Sequence, residues 1–447
     1  MDIKTSYSVK IKDYNHIFEN TAFLYRNAVT FYIHVILCEW DKTFSDIGAN
    51  TAAVNAAEKL SIVSKRRPSV KYDFGGKMYK FPSYLRRAAI AEAFGKVSSY
   101  KSSLKNWKNS DPRTRGKEPS TPKAGRIYPA LYHDGCYVRI DDYTARIKVF
   151  IRNTWDWLTI RLRKTDVNYI LHHCRNRKGK CPTLRKRGKN WYLDFPFMEN
   201  VKLNETDVSA QTIVAVDLGV NSACVCSIMH SDGTVAGRHF LRLSAENDSL
   251  KRRIDRIKYA QRHGSRKTRG LWRLANGVNS DIAVKTAAFI TDVAAYYNAD
   301  AIVFEHLELS GRKKGSRKQR LHLWKARTVQ RIVADKAHRL GIRISHINAW
   351  GTSRLAFDGS GRVLRGDESK RTNGNYSICE FQSGKLYNCD LNASYNIGAR
   401  YFVREIIKTL PATEGQRIAA KVPECVKRST CTLSTLIKLN AELCAAA

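Results

Sequence analysis

Residues 212–220 read TIVAVDLGV. Ile213 to Val216 form an unbroken apolar run, β-branched, too short for a helix and closed by Gly219. That pattern predicts a strand buried on both faces, as in the parallel part of an α/β sheet. Asp217 stands at its end. Burying an ionised carboxylate costs several kcal/mol unless something compensates it. The fold and the function both turn on what that compensation is.

Two further stretches repeat the arrangement. AIVFEHL, 301–307, ends a second buried run on Glu305, and CDLNASYNIGAR, 389–400, opens a helix with Asp390 in its first turn. Each acid has an ordinary reading: a strand-end turn for Asp217, a basic neighbour for Glu305, a helix cap for Asp390. Their shared setting suggests one compensation for all three. Two carboxylates about 4 Å apart repel by about 4 kcal/mol at an effective dielectric of 20, so a cation or a proton must sit between them. Carboxylate oxygens suit Mg²⁺, which needs few protein ligands when phosphate and water complete its octahedron. Two such ions clamp the attacking and leaving oxygens of a phosphodiester.

The surrounding chain supports an α/β layout with a mixed sheet. ACVCSIM and VAGRHFLRL read as strands around the HSDGT turn. A basic helix is predicted over about 247–263, an amphipathic helix over DIAVKTAAFITDVAAYYN, another over KARTVQRIVADKAHRLG with Gly341 as its stop, and a strand over IRISHINA. Cys224 and Cys226 alternate on one strand and read as core.

The first half is different. MDIKTSYSVK alternates like a strand, and apolar residues then recur at helical spacing to about residue 105. NSDPRTRGKEPSTPKAG breaks the pattern as a loop. From Tyr128 to about Val201 the texture is short alternating runs, CYVRIDD, RIKVFI, LTIRLR and NWYLDFPF. A helical module inserted into a β-barrel begun by the N-terminus fits this order. His172, His173, Cys174 and Cys181 match no standard metal spacing and read as exposed loop residues.

The 447 residues carry 78 Lys and Arg against 40 Asp and Glu, a formal net charge of +38. So large an excess points to a polyanionic partner, nucleic acid first. The N-terminus has no apolar signal region, and no run approaches the roughly 20 apolar residues of a membrane span. The eleven cysteines are then expected to be reduced thiols, and the protein cytoplasmic, with no membrane partner.

IVAVDLGVNSACV, AIVFEHL and CDLNASYNIGAR resemble the three motifs of the RuvC-type nuclease domain of the transposon-encoded TnpB family, related to the compact type V CRISPR effector nucleases. The likeness is close over 211–403 and looser before it. It implies a multidomain α/β protein: an RNase H-like (RuvC) nuclease domain plus an N-terminal β-barrel wedge domain with an inserted helical recognition domain. The expected parts are 1–10 as the first wedge strand, 11–120 as the helical recognition domain and 121–205 as the rest of the wedge. The nuclease domain follows in 206–349 and 389–410, with an inserted target-nucleic-acid-binding module in 350–388 and a C-terminal tail in 411–447.

By the same resemblance Asp217, Glu305 and Asp390 are the catalytic and metal-binding acids, holding two Mg²⁺ ions with Mn²⁺ as a substitute. The activity implied is RNA-guided, metal-dependent cutting of DNA beside a short recognition motif, with guide RNA and target double-stranded DNA as partners and a monomer favoured. A guide-independent nuclease or transposition factor, and a non-cleaving RNA-guided binder, are the alternatives. Actin-like ATPases share a similar first motif, but their second phosphate loop and adenosine motif are missing here.

Many relatives carry a Cys₄ zinc ribbon in the inserted module. Here TSRLAFDGSG lacks the first cysteine pair, and Gln382 stands where Cys379 would have its partner, so no zinc is expected. Three basic segments lie where nucleic acid would run. Arg252, Arg253, Arg256, Arg266 and Lys267 follow the first acid, and Lys313, Lys314, Arg317 and Lys318 follow the second; the third segment is CRNRKGKCPTLRKRGK. Trp272 and Trp324 within the first two read as core, and Arg354 is a candidate for steadying phosphate. Contacts of this kind are sequence-neutral and salt-sensitive, with sequence read by base pairing.

Overall fold

The computed structural model describes residues 1–13, 16–113, 115–219, 223–307, 325–427 and 429–445. The chain divides into two compact units, Asp2–Glu199 and, with Met1, Asn200–Ala447. The break falls slightly before the expected boundary at 205–206.

In the first unit, β1 (Asp2–Lys10) leads into helices α1 (Ile17–Cys38), α2 (Asn50–Ser61), α3 (Phe74–Lys77) and α4 (Ser83–Asn109). Strands β2 (Tyr137–Arg139), β3 (Thr144–Ile151) and β4 (Thr154–Arg161) form an antiparallel meander. Helix α5 (Lys164–His173) then precedes β5 (Lys178–Gly179), β6 (Thr183–Arg187) and β7 (Asn190–Asn200). Strand β7 pairs with β1, β5 and β6, and a single bridge, Ile11 to Leu162, links the two sheets. Phe18 of α1 packs edge-on against Trp191 of β7, both fully buried, at 5.4 Å between ring centres.

Helix α5 corrects the reading of 128–201 as strands alone. Val167 and Ile170, three apart, bury one face of it. His172 and His173 therefore sit on a helix, and Cys174 is buried at its end. His173 Nδ1 donates to the Tyr169 carbonyl at 2.9 Å. The expected exposed loop holds for neither histidine, though both rings are exposed.

The second unit is built on a mixed five-stranded sheet in the order β10-β9-β8-β11-β12. The strands are β8 (Thr212–Asp217), β9 (Cys224–His230), β10 (Val235–Leu241), β11 (Ala301–His306) and β12 (Arg343–Asn348). The first three are antiparallel, while β11 runs parallel to both β8 and β12. Alternation along β8 divides its residues between two cores. Val214 and Val216 join Cys224, Cys226 and Phe304 under helices α7 (Arg269–Tyr296) and α8 (Ala326–Ala337). Ile213 and Ala215 join Val303 and Ile347 under helices α9 (Cys389–Thr409) and α11 (Leu433–Cys444). Each fully buried valine or isoleucine contributes about 1.5–3 kcal/mol. This two-sided burial is why the run in 212–216 is unbroken.

Helix α6 (Ser244–Arg262) covers the expected basic helix, and its apolar face holds Trp272 half-buried beside Ile254 and Ile257. Helix α7 starts at Arg269, twelve residues before the predicted amphipathic stretch at 281. Gly270 and Gly277 weaken the sequence signal there, but Trp272 and Ala275 pack onto α6 and carry the helix through. Helix α8 passes into a short 3-10 turn that ends at Gly341, φ +77°, as the sequence predicts.

The segment after β12 forms a small sheet, β13 (Leu364–Arg365), β14 (Ile378–Glu380) and β15 (Leu386–Asn388). Its core is Ala356, Val363, Cys379, Phe381 and Cys389, with Phe357 and Tyr387 against it. The rings of Phe381 and Tyr387 meet Phe357 edge-on there. The tail contains α10 (Ala412–Lys421) and α11, and α11 packs against α9. Asn440 Nδ2 bonds the Ser231 carbonyl at 2.9 Å, so the tail is part of the second unit's core.

Candidate active site

Asp217 ends β8 and Glu305 lies near the end of the neighbouring parallel strand β11. Asp390 is the second residue of α9, which lies against β8 and β9. All three side chains are half-buried. The strand ends and the helix start thus bring Asp217 within reach of the charges of Glu305 and Asp390. The cap of α9 is not Asp390 but Asn388, whose side chain accepts the Leu391 amide at 2.9 Å. The capping explanation for Asp390 falls away.

The acids feel one another. Burial raises the Asp217 carboxyl well above the usual carboxylate range, and the charges of Glu305 and Asp390 push it further; Arg365 opposes the rise. Glu305 is also raised, chiefly by burial, against the Thr352 hydroxyl and the Arg400 charge. Among the described residues no three His, Cys, Asp or Glu side chains close on one point as a ready cage for an ion. The polar atoms of the three acid side chains are all carboxylate oxygens, the hard donors that Mg²⁺ prefers.

Residues absent from the sequence reading surround the acids. Thr352 donates its hydroxyl to Glu305 Oε1. Gln330 Nε2 bonds the Glu305 carbonyl at 3.0 Å, tying α8 to β11. Arg400 is buried, and burial lowers its guanidinium to about 10. Among the described residues, the charge of Arg365, from the small sheet, lowers the Asp217 carboxyl. Nothing in the local pattern marks Thr352 or Arg365; Arg400 sits in the third motif without a signal of its role.

The expected nucleic-acid contacts are scattered. Arg252 and Arg256 are exposed on α6, Arg253 is half-buried there, and Arg266 and Lys267 are exposed in the following link. Arg354 Nη1 pairs with Glu368 at 2.6 Å, with the two side chains 43% and 36% exposed. Lys313, Lys314, Arg317, Lys318 and Trp324 lie outside the described residues. Cys379 and Cys389 meet in the core of the small sheet, where their contact raises the Cys379 thiol and lowers that of Cys389. Among the described residues no helix is long and apolar enough to cross a membrane.

Comparison with known proteins agrees with this architecture. The pattern of the Aq_aa04 family matches residues 5–151. An uncharacterized protein of Aquifex aeolicus (strain VF5), aq_aa04, is 30% identical over 133 residues, covering 28% of this chain and 74% of that protein. A TnpB-like protein of the same organism, aq_aa05, is 27% identical over 244 residues, covering 48% of this chain and 76% of that protein. Among solved structures, the protein of a Cas12f1–sgRNA–target DNA complex aligns with a TM-score of 0.56 at 15% identity, over 85% of this chain and 83% of that one. The mini-RNA-guided endonuclease CRISPR-Cas_phi3 aligns at 0.52 and 10% identity, over 89% and 92%. These two likenesses concern the fold alone, a multidomain α/β architecture. The chain belongs to the Aq_aa04 family and is TnpB-related.

Proposed function

We propose that the chain is an RNA-guided, metal-dependent DNA endonuclease that hydrolyses phosphodiester bonds of guide-matched DNA. The observation that carries this is the placement of Asp217 at the end of β8, Glu305 near the end of the strand paired with it, and Asp390 in the first turn of the helix packed on β8. Carboxylates that raise one another's affinity for protons hold a divalent cation for the same electrostatic reason. Asp217, Glu305 and Asp390 would hold two Mg²⁺ ions, Mn²⁺ substituting. The ions would supply charge stabilisation at the attacking and leaving oxygens of a phosphodiester. The chain's own part is to hold the acids in register, to orient Glu305 through Thr352, and to lead a polyanionic strand past α6.

Support for guidance comes from relatives. One relative is named TnpB-like, and the first solved structure above contains a single-guide RNA and target DNA. We read Asp2–Glu199 as the wedge barrel with its helical recognition insertion, and 350–388 as a target-binding module without zinc. The net charge of +38 suits both an RNA and a DNA partner.

The test is made on the full chain expressed with its native flanking sequence. Purification should yield a discrete bound RNA and no stoichiometric zinc, and the complex should cut duplex DNA matched to that RNA only with Mg²⁺ or Mn²⁺. Asp217→Ala should reduce cutting by at least about 10³-fold while leaving the RNA bound. Cutting without RNA would favour a guide-independent nuclease. Matched binding without cutting would favour a non-cleaving binder, and persistence of cutting in Asp217→Ala would remove the assignment of the acids.

A further inference from the structure

Helix α9 carries a second set of polar residues behind its acidic start. Asn392, Asn396 and Arg400 recur every four residues and so share one helix face. All three are buried, at 0%, 0% and 3% exposure. Buried polar groups are mostly hydrogen-bonded, and here every side-chain polar atom of the three but Asn396 Oδ1 and Arg400 Nη2 has a partner. Their bonds converge on one stretch of backbone, residues 348–357.

Asn392 accepts the Phe357 amide at 2.8 Å and donates to the Leu355 carbonyl at 2.9 Å. Asn396 Nδ2 donates to the Thr352 and Leu355 carbonyls at 2.9 and 2.8 Å. Arg400 Nη1 donates to the carbonyls of Asn348 and Trp350 at 2.9 and 2.7 Å, and its Nε to Cys431 at 3.0 Å. The clamped stretch holds one side chain that reaches the acids: buried Thr352, whose hydroxyl donates to Glu305 and lies 3.1 Å from the Ala349 carbonyl.

We propose that Thr352 is a positioning residue for Glu305, and that Asn396 and Arg400 act through it by fixing the backbone from which it projects. The helix that begins with Asp390 thereby sets the orientation of the second acid as well as carrying the third. A hydroxyl on Oε1 restricts rotation of the carboxylate and occupies one lone pair, leaving Oε2 for a divalent cation. This inference rests on the reading of the three acids as cation ligands.

The experiment measures Mn²⁺ binding to the full chain by electron paramagnetic resonance of the free ion, with thermal melting in EDTA alongside. Partners that orient a ligand typically change metal affinity by about 10–100-fold. Thr352→Val keeps the shape and removes the hydroxyl; it should weaken Mn²⁺ by about tenfold or more, with an unchanged melt in EDTA. Thr352→Ser restores the hydroxyl and should recover most of that affinity. Wild-type affinity in Thr352→Val, or no recovery in Thr352→Ser, overturns the proposal. Glu305→Gln separates the two levels: if it binds Mn²⁺ as wild type does, the cation-ligand reading falls and this inference with it. If Glu305→Gln weakens binding and Thr352→Val does not, only the positioning role is lost.

Discussion

Asp217 shows what a single residue in this site costs and does. Its carboxyl is raised by burial and by two neighbouring acids. For an acid whose folded-state pKa is raised, the unfolded chain releases its proton first as pH increases. Stability from this group is thus greatest below the unfolded value, near 3.9, and is lost as pH rises toward the folded value. Asp217→Asn removes the charge and keeps the shape. In EDTA at neutral pH it should melt higher than wild type, by about 2–4 °C for each kcal/mol of repulsion relieved. The gain should shrink toward pH 4. Mg²⁺ should raise the melting temperature of wild type and not of the variant. A variant that melts lower in EDTA at neutral pH would mean that the carboxylate is neutralised within the protein.

At the scale of elements, α9 is the part on which the site depends most. Gly398 faces the sheet, and a β-carbon there would meet Met229 Sδ at 2.8 Å and Ala215 Cβ at 3.2 Å. The helix approaches β8 and β9 this closely because position 398 carries no side chain. Gly398→Leu should lift the helix from the sheet, at a cost of about 1–3 kcal/mol for overpacking. Asp390 at its start and the clamp on 348–357 would move with it, so a melt lowered by several degrees should accompany loss of Mn²⁺ binding. A lowered melt with full Mn²⁺ affinity would show that the acids do not depend on this packing. Element types were largely legible in the sequence, since periodicity reports which faces are apolar. The misses have physical causes. In α5 only two buried residues mark the helical face. The first turns of α7 contain glycines that local propensity reads as breaks, and packing on α6 overrides them.

For the whole molecule, the charge is the leading fact. An excess of 38 positive charges repels itself and attracts phosphate. Binding of unmatched duplex DNA should therefore be dominated by counterion release. Between about 50 and 200 mM salt it should fall by about 10³–10⁵-fold if 6–10 phosphates are contacted. Neutralising Arg252 and Arg256 together should flatten the slope of log affinity against log salt by about two, measured by fluorescence anisotropy. An unchanged slope would place the phosphate path elsewhere on the surface.

The amino-acid sequence determined the alternation of elements, the two-sided burial of β8 and β11, the two acids that close apolar runs and the third that opens a helix. These are local properties: a carboxylate at the end of a valine-rich strand stands out without its neighbours in space. Tertiary structure decided what surrounds those acids. Thr352 reaches Glu305 from 47 positions along the chain. Asn396 and Arg400 hold that threonine's backbone from a later helix. Arg365 acts on Asp217 from a different sheet. Such roles arise from distances through space, and hydrogen bonds at that separation leave no periodic trace in the sequence.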